Sequence, residues 1–251
     1  MTAPALPPPF RLIAYDTIGS TNDELKRLAR AGEGEGLVVT AERQTAGRGR
    51  RGRAWVSPPG NLYASLLLRP ECGAATAAQL GFAAALGAAE ALGEFAPEIE
   101  LRCKWPNDLL ANGKKITGIL SETEMVAGDR PDFVILGVGI NLASSPRDTT
   151  YPATSLAGEG VAGIAPSVVA DAFIRRFAAW LARWRADGFA PIRDAWLRRA
   201  AGLGGPIRVR LERTILDGRF LDLDSDGALR LGLPGGERRI AAGEIFPARA
   251  A

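Results

Sequence analysis

The sequence predicts an α+β fold: a mixed β-sheet domain with helices packed on it, followed by a small all-β domain. Three observations carry this. Short β-rich runs lie close together with helical patterns before and after them, the order expected of a sheet covered by helices. Asn112-Gly113 stands between two apolar runs, a strong hairpin signal, so part of the sheet is antiparallel. Past Gly202-Leu-Gly-Gly-Pro206 the pattern changes to short alternating runs divided by turn residues. A chain of 251 residues, 47% hydrophobic and 24% charged, is long and apolar enough to bury a sizeable core.

Residues 1–10, rich in proline, are expected to form a disordered tail. Arg11 to Tyr15 reads as an edge strand. Ser20-Thr-Asn-Asp-Glu is a helix start, with a hydroxyl cap, early acids and then periodic Leu25 and Leu28. Leu37 to Ala41 and Leu62 to Leu68 are strands, and an Ala-rich helix is expected over 74–93. Ile99 to Lys104 is a strand ending at Trp105-Pro106. Leu109 to Glu124 should be two antiparallel strands about Asn112-Gly113, and Phe133 to Leu142 a buried strand. Val168, Phe173, Phe177, Trp180, Leu181 and Trp184 fall at helical spacing, a core stripe within a helix over 167–185. A second helix should cover 191–200. After Pro206, runs at 207–211, 215–222, 228–231 and 238–241 predict a small barrel docked on the main domain.

The formal charge is only +3, yet five arginines fall within 43–53 (Arg43, Arg48, Arg50, Arg51, Arg53), spaced by Gly47, Gly49 and Gly52. Glycine permits close backbone approach and positive φ, and arginine offers a rigid fork of donors matched to carboxylate and phosphate. The loop reads as an anion clamp or, on the same composition, as a solvated basic loop or nucleic-acid contact. A local rather than distributed excess favours a small anion over a long polyanion. The absence of histidine excludes a Ser-His-Asp triad, a Cys-His dyad and any imidazole metal site. Cys72 and Cys103 cannot make a zinc cluster or a disulfide framework and read as buried thiols of a cytoplasmic protein. The opening MTAPALPPPF lacks the basic n-region and apolar core expected of a signal peptide, and the apolar stretch at 74–92 is a poor membrane span.

Lys104-Trp-Pro-Asn-Asp108 places Asn107 and Asp108 at the mouth of a strand, either as a turn or as a holder of a nucleotide, its Mg²⁺ or the arginine loop. Lys115 follows the hairpin turn by two residues. Strand alternation can turn it into the cleft while Lys114 faces water. Gly137-Val-Gly-Ile-Asn141 is not a dinucleotide fingerprint, since Leu142 stands where the last glycine belongs, and no P-loop occurs.

In this order, Ser20-Thr-Asn22, Gln44, GRGRRGR with Trp55, KWPND, GKKITGILSE and GVGIN resemble the biotin–protein ligase (biotin–[acetyl-CoA-carboxylase] ligase) family, and the likeness spans nearly the whole chain from Arg11. The resemblance implies a catalytic domain over 11–203 and an SH3-like domain over 204–251. It is to the monofunctional type, since only about ten residues precede the first predicted strand and leave no room for a DNA-reading domain. It implies that biotin is activated by ATP to biotinyl-5′-AMP and passed to a lysine of a biotin carboxyl carrier domain. A lipoate or octanoate ligase on the same fold is the alternative. By resemblance, Ser20, Thr21, Asn22 and Gln44 contact biotin. Gly47, Arg48, Gly49 and Arg50 close over its carboxylate and the phosphate, with Lys115 beside both. Arg53, Trp55, Asn107, Asp108 and Asn141 attend the nucleotide. Lys115, Arg50 and Asp108 are the expected catalytic residues, Asp108 as a candidate proton acceptor. Mg²⁺ is expected through the ATP phosphates rather than on protein ligands. Neither nucleic acid nor membrane is an expected partner, and an exposed sheet edge is available for a homodimer.

Overall fold

A computed structural model describes residues 6–147 and 149–247. Its larger sheet has seven strands: β1 (Arg11–Ile18), β2 (Leu37–Gln44), β3 (Leu62–Leu68), β4 (Leu101–Lys104), β5 (Asp108–Ala111), β6 (Lys114–Ala127) and β7 (Arg130–Ile140). They lie in the order β1-β2-β3-β7-β6-β5-β4. Only β1 and β2 run parallel, so the sheet is mixed as expected.

Period-2 alternation sorts the two faces. Val38, Leu62, Ala64, Leu66, Val134, Leu136 and Val138 turn into the main core with α3 (Leu80–Phe95), α4 (Pro166–Asp187) and α5 (Ala190–Arg198). Leu37, Val39, Leu67, Phe133 and Ile135 turn the other way, against Leu25 and Ala29 of α1 (Thr21–Arg30). Ser20 caps α1, its Oγ accepting the Asp23 N–H at 3.4 Å, and Asp23 and Glu24 sit in the first turn where the helix dipole favours acids. The predicted capping chemistry is thus observed, and it anchors the helix end that borders the site.

The Ala-rich segment differs from expectation. It breaks into α2 (Ala74–Ala77) and α3 at Ala78-Gln79, where the Gln79 side chain accepts the indole N–H of Trp184 at 2.9 Å. Small residues on α3 let α4 approach backbone to backbone: a Cβ on Gly87 would stand 3.0 Å from the Phe177 amide nitrogen. By length and composition residues 74–95 could cross a membrane, but most of that surface is buried within the protein.

The C-terminal domain is a five-stranded antiparallel sheet of SH3-like type: β8 (Pro206–Arg210), β9 (Ile215–Leu223), β10 (Leu229–Leu233), β11 (Gly236–Ile240) and β12 (Glu244–Pro247), ordered β11-β10-β9-β8-β12. The sequence reading missed β12, four residues with no alternation of their own. The domain docks through Trp105, buried on the catalytic side, whose Nε1 donates to Gly227 O at 3.0 Å. Phe82 fills the joint edge-on to Phe189 and Trp196 at 5.3 and 5.4 Å. Gly227 has φ +89° and a Cβ there would come within 2.8 Å of Phe82, so glycine fits both backbone and space.

Two further expectations need correction. Residues 1–5 lie outside the described part, but 6–10 are not a free tail, because Phe10 is buried edge-on to Phe177 at 6.2 Å. Cys103 is buried and free as expected, whereas Cys72 is only half-buried.

Gly87→Leu is expected to lower unfolding stability by ~1–3 kcal/mol through overpacking. Gly93→Ala, in the same helix with nothing within 4 Å of the added carbon, should be neutral or stabilising. Urea denaturation of both variants checks the crossing.

Candidate active site

Three glycines on two neighbouring strands leave a trough on the α1 face of the sheet. Gly118 on β6 and Gly139 on β7 are register partners. Added Cβ atoms there would come within 2.7 and 2.6 Å of the Trp55 ring, and one on Gly137 would strike the Asn22 amide. The indole therefore lies directly on bare backbone. Beside it opens a cavity of about 440 Å³, within the ~300–1,000 Å³ common for small-molecule sites.

One end of the cavity is a closed hydrogen-bond lattice at the N-terminus of α1. Gln44 Oε1 accepts from Thr21 N at 2.9 Å and from Thr21 Oγ1 at 3.1 Å, and Gln44 Nε2 donates to Ser57 Oγ at 3.0 Å. Ser65 Oγ lies 2.7 Å from Thr21 Oγ1 and 2.6 Å from Asn22 Oδ1, while Asn22 Nδ2 donates to Glu122 Oε2 at 2.6 Å. Such a network fixes the orientation of the polar groups it joins. Ser20, Thr21 and Asn22 are all buried.

The other end is cationic. β4 and β5 meet in a tight turn that pairs Lys104 with Asp108 across the ladder. Lys104 Nζ donates to Asp108 Oδ2 at 2.7 Å, both side chains being buried. Lys115 Nζ stands 2.6 Å from Asp108 Oδ1 in a second ion pair. Burial pushes the Asp108 carboxyl upward, but the two ammonium groups outweigh it and hold it below the usual carboxylate range. That differs from the expected proton acceptor: a carboxylate so stabilised is a poor base and a good counter-ion. Lys104 also lies over the faces of Tyr151, at 4.6 Å, and Phe246, at 5.9 Å. Lys115 is the more open lysine, 26% exposed, and its Nζ is 5.5 Å from the Trp55 ring. Lys114, by contrast, points out to Glu159 at 2.9 Å. The division between the two lysines matches expectation.

A strap crosses above Lys115. Lys115 N donates to Pro152 O at 2.7 Å and Thr154 N donates to Lys115 O at 2.9 Å. Asn141 Nδ2 donates to Thr154 O at 3.0 Å. Glu159 fastens the strap by accepting from Thr154 Oγ1, Asn112 Nδ2 and Lys114 Nζ, which pulls its carboxyl down to about 2, the Thr154 bond foremost.

The glycine–arginine loop covers the trough, and the structure separates its residues. Arg50 Nη1 donates to Asn107 Oδ1 at 2.9 Å and lies 3.5 Å from Gly243 O. Burial lowers the Arg50 pKa despite the opposing pull of the Asp108 and Glu244 charges, and both of its hydrogen-bond acceptors are neutral. Asn107 in turn donates to Ile119 O at 2.7 Å. Arg53 forms a bidentate pair with Glu244 of the C-terminal domain at 3.2 and 2.9 Å, and Arg210 joins it at 2.7 Å. Arg48 turns to Asp23. Arg51 is exposed at φ +57°, and Arg43 is exposed on β2. Gly49 lines the cavity but Gly47 does not: it packs behind the wall, where a Cβ would come within 2.6 Å of Ser57 Oγ and even closer to Trp55 O. The other expected site residues all line one cavity, Asn141 and Trp55 included.

Sequence reasoning missed Lys104 as a charge partner, Glu122, the strap residues Tyr151 and Glu159, and Glu244 with Phe246. Lys104 and Glu122 lay inside the quoted motifs, and their alternation with inward residues was the available signal. Nothing local marked Tyr151, Glu159 or Glu244, which reach the site through long-range packing.

A cavity with a rigid neutral end and a cationic end, roofed by an arginine loop on a mixed sheet, marks a protein that binds a small anionic molecule. The chain belongs to the biotin/lipoate A/B protein ligase family: residues 6–198 match that family's profile, and residues 202–246 match the biotin protein ligase C-terminal domain. It is 44% identical to the biotin–[acetyl-CoA-carboxylase] ligase of Paracoccus denitrificans over 90% of this chain and 96% of that protein. It is 37% identical to the bifunctional ligase/repressor BirA of Bacillus subtilis over 93% of this chain and 73% of that protein. Among solved structures it is similar to the biotin protein ligase of Aquifex aeolicus in complex with biotin and ATP. The TM-score there is 0.82 at 29% identity, covering 95% of this chain and 99% of that one.

Glu244 offers a pH test of the domain contact. Burial raises its pKa, but the Arg53 and Arg210 bonds prevail and leave it at about 2, against a usual value of 4.5. A depressed carboxyl stabilises the fold above its unfolded pKa and loses that contribution as pH falls through the folded value. Stability is therefore expected to decline from about pH 4.5 toward 2, with that part of the decline missing in Glu244→Gln. Thermal melts across the range check it.

Proposed function

We propose that this chain is an ATP-dependent biotin–protein ligase. It activates biotin as biotinyl-5′-AMP and transfers the biotinyl group to a lysine of a biotin carboxyl carrier domain. The observation that carries the reading is one cavity joining the neutral lattice of Ser20, Thr21, Asn22 and Gln44 to the cationic end at Lys115 and Arg50. A ureido ring needs fixed donors and acceptors, and its distant carboxylate needs cations. The cavity supplies them in that order.

In the first step a carboxylate oxygen of biotin attacks the α-phosphorus of ATP, and the bond to the bridging oxygen breaks to release pyrophosphate. Two anions must meet in line, so positive charge and alignment matter more than proton transfer. Lys115 and Arg50 offer that charge, and Asp108, held by Lys104, fixes where the Lys115 ammonium stands. Trp55, Asn107, Arg53 and Asn141 line the same cavity, and we assign them to the nucleotide. Mg²⁺ is assigned to the nucleotide phosphates, where its charge would offset that of the departing pyrophosphate. In the second step the acceptor lysine nitrogen attacks the acyl carbon, the acyl–oxygen bond breaks, AMP leaves, and the amine proton passes to solvent. The loop over the cavity keeps water from the mixed anhydride in the interval. A cytoplasmic setting suits the two free thiols and the ATP requirement.

Incubation of the purified protein with ATP, Mg²⁺ and biotin, then with a carrier domain, tests the reading by mass. Lipoate or octanoate in place of biotin distinguishes the alternative acyl ligase. Lys115→Ala is expected to lower biotin-dependent pyrophosphate exchange by on the order of 10²-fold or more; normal exchange refutes its role. Arg50→Ala should speed release of biotinyl-5′-AMP, and a release rate equal to the parent's counts against loop retention.

A further inference from the structure

Arg48 is the first arginine of GRGRRGR, yet its guanidinium is committed away from the cationic end of the cavity. It donates to both carboxylate oxygens of Asp23, Nη2 to Oδ1 at 2.6 Å, and Nη2 also lies 3.5 Å from each oxygen of Glu122. Asp23 belongs to the first turn of α1 and Glu122 to β6. Glu122 is itself held by Lys26 Nζ at 2.7 Å and by Asn22 Nδ2 at 2.6 Å. A loop, a helix and a strand thus converge on one guanidinium, next to the amide that borders the neutral end of the cavity.

The loop has few other ties. Between Gly47 and Trp55 its own backbone bonds are Gly49 N to Arg53 O at 2.7 Å, Arg53 N to Arg50 O at 3.3 Å and Trp55 N to Gly47 O at 2.9 Å. Three glycines in this stretch make it soft. Its far end is fixed to the C-terminal domain by Arg53 and Glu244, its middle rests on Asn107 Oδ1 through Arg50 at 2.9 Å, and its near end is held by Arg48.

We propose that Asp23, backed by Glu122, is a carboxylate latch that grips Arg48 and holds the glycine–arginine loop down over the cavity. Arg48 is then a positioning residue, acting through the loop rather than by touching the anion. A bidentate arginine–carboxylate pair fixes orientation as well as distance. Because Arg48 is 35% exposed and Asp23 50%, the pair is of the weak, breakable kind, as a cover that must lift to admit a ligand requires. The Arg48 contact holds the Asp23 carboxyl below its usual range, so the latch stays charged at neutral pH. Glu122 is shared between Arg48 and Asn22, so a ligand that engages the Asn22 amide acts on the same carboxylate that backs the latch. The consequence for retaining an acyl-adenylate rests on the proposed function; the latch itself does not.

Hydrogen exchange of the ligand-free protein, followed by mass spectrometry, tests it. Asp23→Arg and Arg48→Asp should each speed exchange of the amides at 47–53 by roughly threefold to tenfold, leaving β3 and β7 amides unchanged. The double swap, which restores an opposite-charge pair, should return the loop to within about twofold of the parent. Asp23→Asn serves as a milder variant should the reversals misfold. Loop exchange unchanged in the single variants overturns the latch, as does a swap that stays as fast as the singles. A parent protein that forms no biotinyl-5′-AMP would overturn the ligase reading while the exchange result still decides the latch.

Discussion

Asp108 is the constraint on which the cationic end depends. An isolated carboxylate with so little exposure would cost several kcal/mol to bury, and two ammonium groups within 2.7 Å make the burial possible. The gain is positional. Lys104 is fully committed, lying under Tyr151 and Phe246 as well as against Asp108. Lys115 shares the same carboxylate but keeps a face toward the cavity. Two lysines and one aspartate leave a net positive charge, and the buried member ensures that the exposed one cannot wander. The β4–β5 turn fixes Asp108, and the bulge between β5 and β6 shifts the register so that Leu110 opposes Lys115. The site is therefore a product of strand register before it is one of side-chain chemistry.

The loop arginines divide in the same manner. Arg48 and Arg53 are neutralised by carboxylates on opposite sides, α1 with β6 on one and the C-terminal domain on the other. Arg50, between them, makes its hydrogen bonds only to neutral oxygens, those of Asn107 and Gly243. The outer two hold the loop in place and the middle one retains its charge for use. A soft glycine-rich segment is in this way stretched between two rigid bodies. This gives the C-terminal domain a part in closing the cavity beyond the burial of its own core.

Local chemistry was legible in the sequence and distant pairing was not. The Ser20 cap, the Asn112-Gly113 hairpin and the continuous apolar runs of β3 and β7 each follow from residues within a few positions, and each appears in the structure. The break at Ala78-Gln79 escaped because alanine is silent about where a helix ends, and the partner that favours the break, Trp184, is far along the chain. Lys115 could be picked out from the turn before it, whereas the strap that bonds its backbone on both sides carries no pattern of its own. The arginine run announced a cationic loop but not its partition, since the acids that divide it come from α1, β6 and β12. Four-residue β12, invisible by alternation, supplies one of them.

That partition bears on how an anion enters. If Lys115 and Arg50 were each saturated by an acid of its own, a ligand would have to break ion pairs to bind, and much of its binding energy would go into the exchange. Arg50 feels Asp108 and Glu244 at a distance but holds no direct ion pair that a ligand must break. Lys115 shares Asp108 with Lys104, so a second anion at its open face relieves an excess of positive charge rather than competing for it. The lattice at the neutral end is likewise complete before any ligand arrives, so its polar groups need not reorient. Little reorganisation is then left for the moment of binding except the loop itself. A chain without histidine can be expected to work in this way, by charge held in place rather than by protons moved.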